Sequence, residues 1–184
     1  MSFLRQPKPQ SIDDIRDWYE GVVESLVHHR AAVHNALRIG GMTEPRFVGM
    51  AAGDIDAFFV AQRNNLDQLA IMNLVASAEA SLLMDFKRRV EGNFKDRLSK
   101  AYAMHHRTLP LGQKVRPPLD HGILEQLKAA GVVPAHFVSR FRDVLRLRHW
   151  IAHGRYWAQP LANRAYLPDE AYHTIATLLA ALPP

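Results

Sequence analysis

The segment RLRHWIAHGRYW, residues 146–157, places a guanidinium and an imidazole five positions apart in a largely apolar setting. Arg148 falls between Val144 and Ile151 on the apolar stripe of a predicted helix, where a hydrophobic side chain is expected. Arginine stays charged and binds phosphate oxygens through parallel N–H groups, whereas histidine exchanges protons near neutral pH. Arg148 and His153 are therefore candidate groups for holding an anion and for moving a proton.

A second charged residue interrupts the apolar stripe of the preceding long helix. That stripe steps by three or four residues through Leu66, Leu69, Met72, Ala76, Leu83, Phe86 and Val90. Glu79 occupies the missing step, and an unpaired carboxylate there would cost on the order of several kcal/mol. We expect Glu79 and Arg148 to meet or to line one polar cleft. Two alternatives stay open: a buried ion pair that only fixes register, or a helix phase displaced by one residue, which would turn Glu79 towards solvent.

The position of His153 is set by the end of its helix. Gly154 follows it directly, and glycine is typical just beyond a helix end. On a regular helix, five residues correspond to about 140° of rotation and about 7.5 Å of rise, so Arg148 and His153 would not share a face. Unwinding of the last turn would swing the imidazole towards the arginine. Alternatively, His153 caps helix carbonyls, where the helix dipole favours its cation by about 0.3–1 kcal/mol.

Helical spacing dominates the elements that must position these residues. The predicted elements are a helix from Ser11 to about Leu37, a short helix capped by Asp54, a long helix from about Asn65 to Gly92, a loop over 107–119, a short helix from Asp120 to Ala130 ended by Gly131, a helix from Pro134 to Gly154, and a last helix over about 169–181. We predict one all-α domain over 1–184, an up-and-down bundle of four main helices plus short ones, with an extended tail over 1–10. The 107–119 loop is long for a bundle and is predicted to be functional or mobile.

Composition narrows the class of protein. The chain has 184 residues, of which 48% are hydrophobic and 22% charged, as in a soluble globular protein. The absence of cysteine excludes disulfides, thiolate metal sites and cysteine catalysis, and it fits a reducing compartment. No signal peptide and no apolar run of about 18 residues is found, so a cytoplasmic protein without a membrane span is expected. The formal net charge of +5 permits a polyanion as partner without requiring one.

The helix over 135–153 resembles the signature of one family. An arginine, a polar residue, three more residues, a histidine and then a glycine, with the ending Ala-His-Gly, is similar to the R-x4-6-H motif of the HEPN domain superfamily. His149 stands where that family usually has Asn or Asp after the arginine. The resemblance elsewhere is limited to helix order and to an acidic residue, Glu79, in an earlier helix.

The resemblance implies an all-α bundle and a metal-independent endoribonuclease of the toxin or phage-defence type, without a cofactor. Attack by a 2′-hydroxyl would yield a 2′,3′-cyclic phosphate. His153 would be the acid or base and Arg148 would hold the phosphate, while His149 and Glu79 would orient or tune them. Family members bring two motifs together by dimerising, so a homodimer acting on RNA is expected, with an antitoxin or a nucleotidyltransferase as a possible further partner.

Three residues that flank the motif, Arg146, Arg155 and Tyr156, are candidate contacts to the RNA backbone. An ordinary solvated rim accounts for them equally well. Trp150 and Trp157 are more typical of packing or dimer contacts than of platforms for base stacking.

Two other classes of protein compete with the nuclease. His149 and His153 have the i, i+4 spacing of a zinc-binding helix, but Trp150 stands where an H-E-x-x-H site needs its glutamate. The remaining paired histidines, 28–29 and 105–106, lie in basic contexts that disfavour a cation, so no metal site is predicted. A non-catalytic module that binds RNA, a nucleotide or a protein is the stronger alternative, since fold alone does not decide activity. An open cleft shared by Arg148 and His153 would favour the enzyme, and a His153 buried against its own helix end would favour the module.

Overall fold

A computed structural model of the chain describes residues 10–41, 44–92, 94–153 and 167–183, and helices make up nearly all of its regular structure. The α-helices are α1 (Ile12–Arg38), α2 (Ala52–Gly92), α3 (Arg97–Thr108), α4 (Leu111–Val115), α5 (Glu125–Ala130), α6 (Ala135–Ala152) and α7 (Pro168–Ala180). A 3-10 turn covers Pro45–Phe47 and a π-helical turn covers Leu119–Leu124. No strand occurs in these ranges, so the predicted all-α helical bundle is confirmed.

The chain divides into two compact units. The N-terminal unit comprises residues 13–70, and the C-terminal unit comprises the described residues of 1–12 and 71–184. In the N-terminal unit, α1 contributes Val33 to a buried cluster with Phe47, Ile55 and Phe59. A second cluster joins Tyr19 to the α2 residues Leu66 and Ala70. These contacts bury the apolar faces that the 3–4 spacing of α1 and α2 creates.

Three long helices supply the core of the C-terminal unit. Fully or nearly fully buried apolar side chains come from α2 (Ile71, Leu74, Val75, Ala78, Leu82, Phe86), from α6 (Val138, Phe141, Val144, Leu145, Leu147) and from α7 (Ala171, Ile175, Leu178). Helix α6 packs against α7, and α3 packs against α5. The site described below lies in this unit, on α2, on α6 and on the segment that leads into α5.

A buried arginine ties the end of α2 to its surroundings. Arg89 is 1% exposed, and its Nε donates to Asp85 at 2.8 Å. Its Nη1 donates to Ser99 at 3.3 Å and to Asp96 at 3.4 Å, and its Nη2 donates to the carbonyl of Pro183. Burying a guanidinium is tolerated when every N–H group finds an acceptor, so this network fixes α2 and the start of α3 to each other.

Helix α2 differs from the prediction in length and in phase. It is one helix from Ala52, so the separate start near Asn65 was wrong. Its most buried line runs through Leu74, Ala78 and Leu82, whereas Leu69 of the predicted stripe is 47% exposed. The physical reason is that α2 carries apolar residues around much of its circumference, so more than one stripe fits the 3–4 spacing.

The region between α3 and α6 is more ordered than predicted. The predicted loop over 107–119 contains the end of α3 and the short helix α4. The predicted helix from Asp120 begins with a π-helical turn at Leu119 and continues as α5. Gly131 ends α5 as predicted, with φ +66° and its N–H donating to the carbonyl of Lys128.

Helix α2 also contains a strongly hydrophobic window. Its 18-residue window has a mean hydropathy of 1.4, which by length and composition would suffice to cross a membrane. Of that window, 44% is buried inside the protein. Core helices of soluble proteins pass the same test, so the window is weak evidence for a span.

Candidate functional site

The end of α6 places the two histidines of the motif over each other. The helix is regular to Ala152, and the N–H of His153 donates to the carbonyl of His149 at 3.0 Å. The imidazoles of His149 and His153 lie parallel, with 10° between the planes and 6.2 Å between the centroids. Residues four apart share a helix face, so His153 lies on the face of His149 rather than on that of Arg148. The expected unwinding is not observed up to His153, and Gly154 lies outside the described residues.

Arg148 and Glu79 meet across α6 and α2, as the two interruptions of the apolar stripes predict. The Nη2 atom of Arg148 lies 3.8 Å from Oε2 of Glu79. Glu79 follows the buried Ala78, at the edge of the core face of α2. The two side chains are 30% and 28% exposed, so the pair is partly exposed rather than buried, and the stripe predicted through Glu79 is displaced from the buried line of α2. A pair with this exposure and separation contributes roughly 0–1 kcal/mol, because water screens it.

Both residues open into a cleft of the C-terminal unit with a volume of about 660 Å³. One wall is α2, a second is the last turns of α6, and a third is the segment 116–123. The polar lining consists of Glu79, Arg116, Asp120, His121, Arg148 and His149. The remaining lining is apolar and includes Ala76, Ala80, Leu83, Pro117 and Leu145. The cleft therefore combines cationic and imidazole groups with an apolar floor.

Some of the predicted site residues line the cleft, and others do not. Arg148, Glu79 and His149 line it, whereas His153 does not line it and has a ring contact with His149. Arg146 is exposed outside the cleft, and its Nη1 lies 3.2 Å from Asp143. The other two predicted RNA contacts, Arg155 and Tyr156, lie outside the described residues.

Sequence reasoning missed two cleft residues, Arg116 and His121. Both are exposed, and neither has a hydrogen bond or ion pair with another described residue. Arg116 directly precedes Pro117-Pro118, whose prolines fix the backbone angle φ, and His121 lies three residues after them. The length of the 107–119 loop was a signal for Arg116 only, since His121 falls in the helix predicted from Asp120.

The wall that carries His121 is fastened to α6 by Arg142. Nε of Arg142 donates to Asp120 at 2.5 Å, and its Nη2 donates to Glu125 at 2.5 Å and to the carbonyl of Asp120 at 3.1 Å. The pKa of Arg142 is raised, since its hydrogen bonds to Glu125 and Asp120 outweigh the opposing effect of burial. The hydrogen bond from Arg142 lowers the pKa of Glu125. Asp120 is thus hydrogen-bonded to Arg142, which leaves Glu79 as the other carboxylate among the described residues that line the cleft.

The residues of the cleft can bind an anion and exchange protons. Two guanidinium groups, Arg116 and Arg148, can contact phosphate or carboxylate oxygens. Two imidazoles, His121 and His149, stand on different walls, and imidazole is the side chain that most often serves as a general acid or base. Among the described residues, no three His, Asp or Glu side chains come close enough together to hold a metal ion.

Comparison with protein-family models, with curated proteins and with solved structures gives no match. The fold and the site define an all-α protein with a partly apolar cleft that carries arginine and histidine. Its function has to be inferred from the chemistry of those residues.

Proposed function

We propose that this chain is a metal-independent endoribonuclease of the HEPN type, similar to toxins and phage-defence nucleases. The observation that carries the proposal is that Arg148 and His149 both line one cleft, with His153 stacked on His149. These groups belong to one short segment that resembles the R-x4-6-H motif. An arginine in a cleft, paired only weakly with Glu79, is free to exchange that carboxylate for a phosphate.

The proposed reaction is an attack within the RNA chain. Arg148 binds the nonbridging oxygens of the scissile phosphate and stabilises the charge that grows on them. A histidine removes the proton from the 2′-hydroxyl while O2′ bonds to phosphorus, and the bond from phosphorus to O5′ breaks. O5′ takes up a proton, which leaves a 2′,3′-cyclic phosphate and a 5′-hydroxyl. His153 is the proposed acid or base, with His149 orienting it and Glu79 positioning Arg148.

The setting of this reaction is part of the same proposal. We expect a cytoplasmic homodimer that acts on RNA without a cofactor, with an antitoxin or a nucleotidyltransferase as a further partner. The formal net charge of +5 supports a polyanionic substrate, because a net positive protein attracts RNA over long distances. Arg146, Arg155 and Tyr156 remain the proposed contacts to the RNA backbone near the motif.

One observation favours a second function, a module that binds RNA or a nucleotide without cleaving it. His153 does not line the cleft, and α6 keeps its regular geometry up to that residue. The volume of about 660 Å³ lies within the range of small-ligand pockets, and the apolar floor could receive a nucleobase. The two functions differ in whether a bond is broken, which a cleavage assay decides.

The test is RNA cleavage in the presence of EDTA, comparing the wild type with His153→Ala. His136→Ala is the matched control, because His136 is also exposed on α6 but does not line the cleft. We expect cleavage by the wild type and the control, cyclic phosphate ends on the products, and loss of cleavage in His153→Ala. Equal cleavage by His153→Ala would refute the mechanism, and RNA binding without cleavage by the wild type would establish the binding module.

A further inference from the structure

The proposed reaction needs two proton transfers, and the motif supplies its imidazoles from one wall of the cleft only. One proton leaves the 2′-hydroxyl and another reaches the departing O5′, on opposite sides of the phosphorus atom. His149 and His153 lie on one face of α6, stacked on each other. A second group on another wall would let both transfers occur around a phosphate bound at Arg148.

The segment 116–123 places such a group in the same cleft. His121 lies on the π-helical turn Leu119–Leu124, and it lines the cleft together with Arg148 and His149. Its side chain is exposed, so it can exchange protons with water between turnovers. No hydrogen bond or ion pair to another described residue holds it, which leaves both ring nitrogens available to a substrate.

The turn that carries His121 is fixed rather than loosely attached. Asp120, the preceding residue, is held by Arg142 of α6 through both its side chain and its carbonyl. On the other side, Gly122 is buried and packs so closely against His105 that a Cβ there would lie 3.0 Å from the His105 Nε2. An imidazole on a fixed turn is preorganised, which is what a proton-transfer group requires.

Arg116 adds a second cation at the start of the same wall. It is exposed, lines the cleft and has no carboxylate partner among the described residues. Arg148, by contrast, has Glu79 as a weak partner at 3.8 Å. The cleft therefore has one arginine on each of two walls, each accompanied by an imidazole.

We propose that His121 is the second catalytic histidine of this cleft and that Arg116 is its second phosphate contact, both supplied by the same chain as Arg148. This inference rests on the proposed ribonuclease function and extends it. One imidazole accepts the 2′-hydroxyl proton as the O2′–P bond forms. The other, as imidazolium, gives its proton to O5′ as the P–O5′ bond breaks, and exchange with water then restores both protonation states.

The first test is the pH dependence of RNA cleavage by the wild type, His121→Ala and the control His136→Ala. The wild type should give a bell-shaped profile, because one imidazole must be neutral and the other protonated. His121→Ala should lose about 10²-fold or more in rate and one limb of the bell, and His121→Gln should not restore it. Circular dichroism of each variant identifies any variant that has not folded, and Gln keeps the polarity of the turn.

The second test asks whether the two walls act within one chain. His121→Ala and Arg148→Ala chains carrying different tags are coexpressed, and the species carrying both tags is isolated. If one chain supplies the whole site, the mixed species stays inactive, because each chain lacks one group. Cleavage recovered in the mixed species would overturn the proposal, since it would require a site shared between two copies. A wild type that is active as a monomer would support the single-chain site and would refute the homodimer expected under the proposed function.

The outcomes separate this inference from the function on which it rests. If the wild type cleaves RNA and His121→Ala changes the rate by less than about threefold, with the same bell-shaped pH profile, only the role of His121 is overturned. Absence of cleavage by both the wild type and His136→Ala, on all RNAs tried, overturns the ribonuclease and the role of His121 with it. Loss of activity and of one limb in His121→Ala, with the control unaffected, supports both.

Discussion

Arg148 carries a permanent positive charge at the edge of an apolar core, and its surroundings indicate whether its role is structural or catalytic. Its carboxylate partner Glu79 lies 3.8 Å away, and both side chains are about 30% exposed. A screened pair of this kind adds roughly 0–1 kcal/mol to stability, too little to explain a guanidinium on an apolar stripe. The cleft beside it offers a better reason, because a phosphate oxygen can replace the carboxylate.

Removing Arg148 should therefore affect cleavage far more than folding. We expect Arg148→Ala to lose about 10²–10³-fold in kcat, as for removal of one group that stabilises transition-state charge. Arg148→Lys should recover only part of that loss, since an ammonium lacks the planar fork. Arg140→Ala, a substitution at an exposed arginine of α6 outside the cleft, is the control. A kcat for Arg148→Ala close to that of Arg140→Ala would remove the arginine from the mechanism.

Glu79 should show a smaller effect with a different kinetic signature. Glu79→Gln keeps the shape of the side chain but removes the charge that attracts Arg148 and repels RNA. We expect KM for RNA to fall by up to about fivefold, because a pair worth about 1 kcal/mol no longer competes with the phosphate. We also expect kcat to fall, because Arg148 loses the contact that positions it. Steady-state kinetics measure KM and kcat separately, and a rise in KM with unchanged kcat would contradict this role.

At the scale of the elements, the end of α5 depends on the backbone conformation of Gly131. Gly131 ends α5 in the left-handed region, with φ +66°. We expect Gly131→Ala to lower the free energy of unfolding by about 1–2 kcal/mol, which is the cost of that conformation for a residue with a Cβ. Gly21→Ala, inside α1 with no atom within 4 Å of the new Cβ, should raise it by about 0.5–1 kcal/mol. Urea unfolding of both variants checks the opposite signs, and equal effects would show that backbone conformation does not govern them.

The stability of the N-terminal unit should depend on pH through a carboxylate that is hydrogen-bonded to a histidine. Glu44 is hydrogen-bonded to His29 and pairs with Arg46 at 2.7 Å, and these contacts, that from His29 foremost, lower its pKa. A lowered folded pKa means stability that is present above the ordinary carboxyl pKa of about 4.3 and is lost as pH falls through the folded value. Glu44→Gln should lower the melting temperature at pH 7, and the gap to the wild type should close towards pH 3. Glu24→Gln, at an exposed residue of α1 without a hydrogen bond or ion pair to another described residue, is the control in thermal unfolding.

Helix content and several helix ends could be predicted from the sequence because they depend on local chemistry. Prolines and glycines mark the starts of α6 and α7 and the end of α5, and each acts through its own backbone angles. The continuity of α2 could not be predicted, because its apolar residues fit more than one stripe. The clusters around Arg89 and Arg142 were also missed, since their acceptors are chosen by tertiary packing and leave no spacing pattern in the sequence.

At the scale of the whole molecule, the candidate site was predictable to the extent that it interrupts apolar stripes. Glu79 and Arg148 were identified because each follows the spacing of an apolar stripe, and the two meet, although the buried line of α2 runs through Ala78 and Leu82 and leaves Glu79 at its edge. Arg116 lies in a proline-rich loop and His121 in the first turn of a short predicted helix, so nothing in the sequence pairs them with α6. Only the packing of that segment against α2 and α6 makes them part of the cleft.

The charge of the molecule leads to a last prediction, on the salt dependence of RNA binding. The formal net charge of +5 acts on any polyanion, whereas the cleft arginines should contact particular phosphates. Each contact to a single-stranded phosphate contributes about 0.7 to the slope of log K against log salt concentration. RNA methylated at every 2′-oxygen can bind but cannot be cleaved, so its binding can be measured with the active protein. Arg116→Ala should reduce the slope by about 0.7, and Arg140→Ala should leave it unchanged. An equal reduction by both variants would mean that RNA binding depends on the general surface charge. The cleft would then make no specific contact with the phosphate backbone.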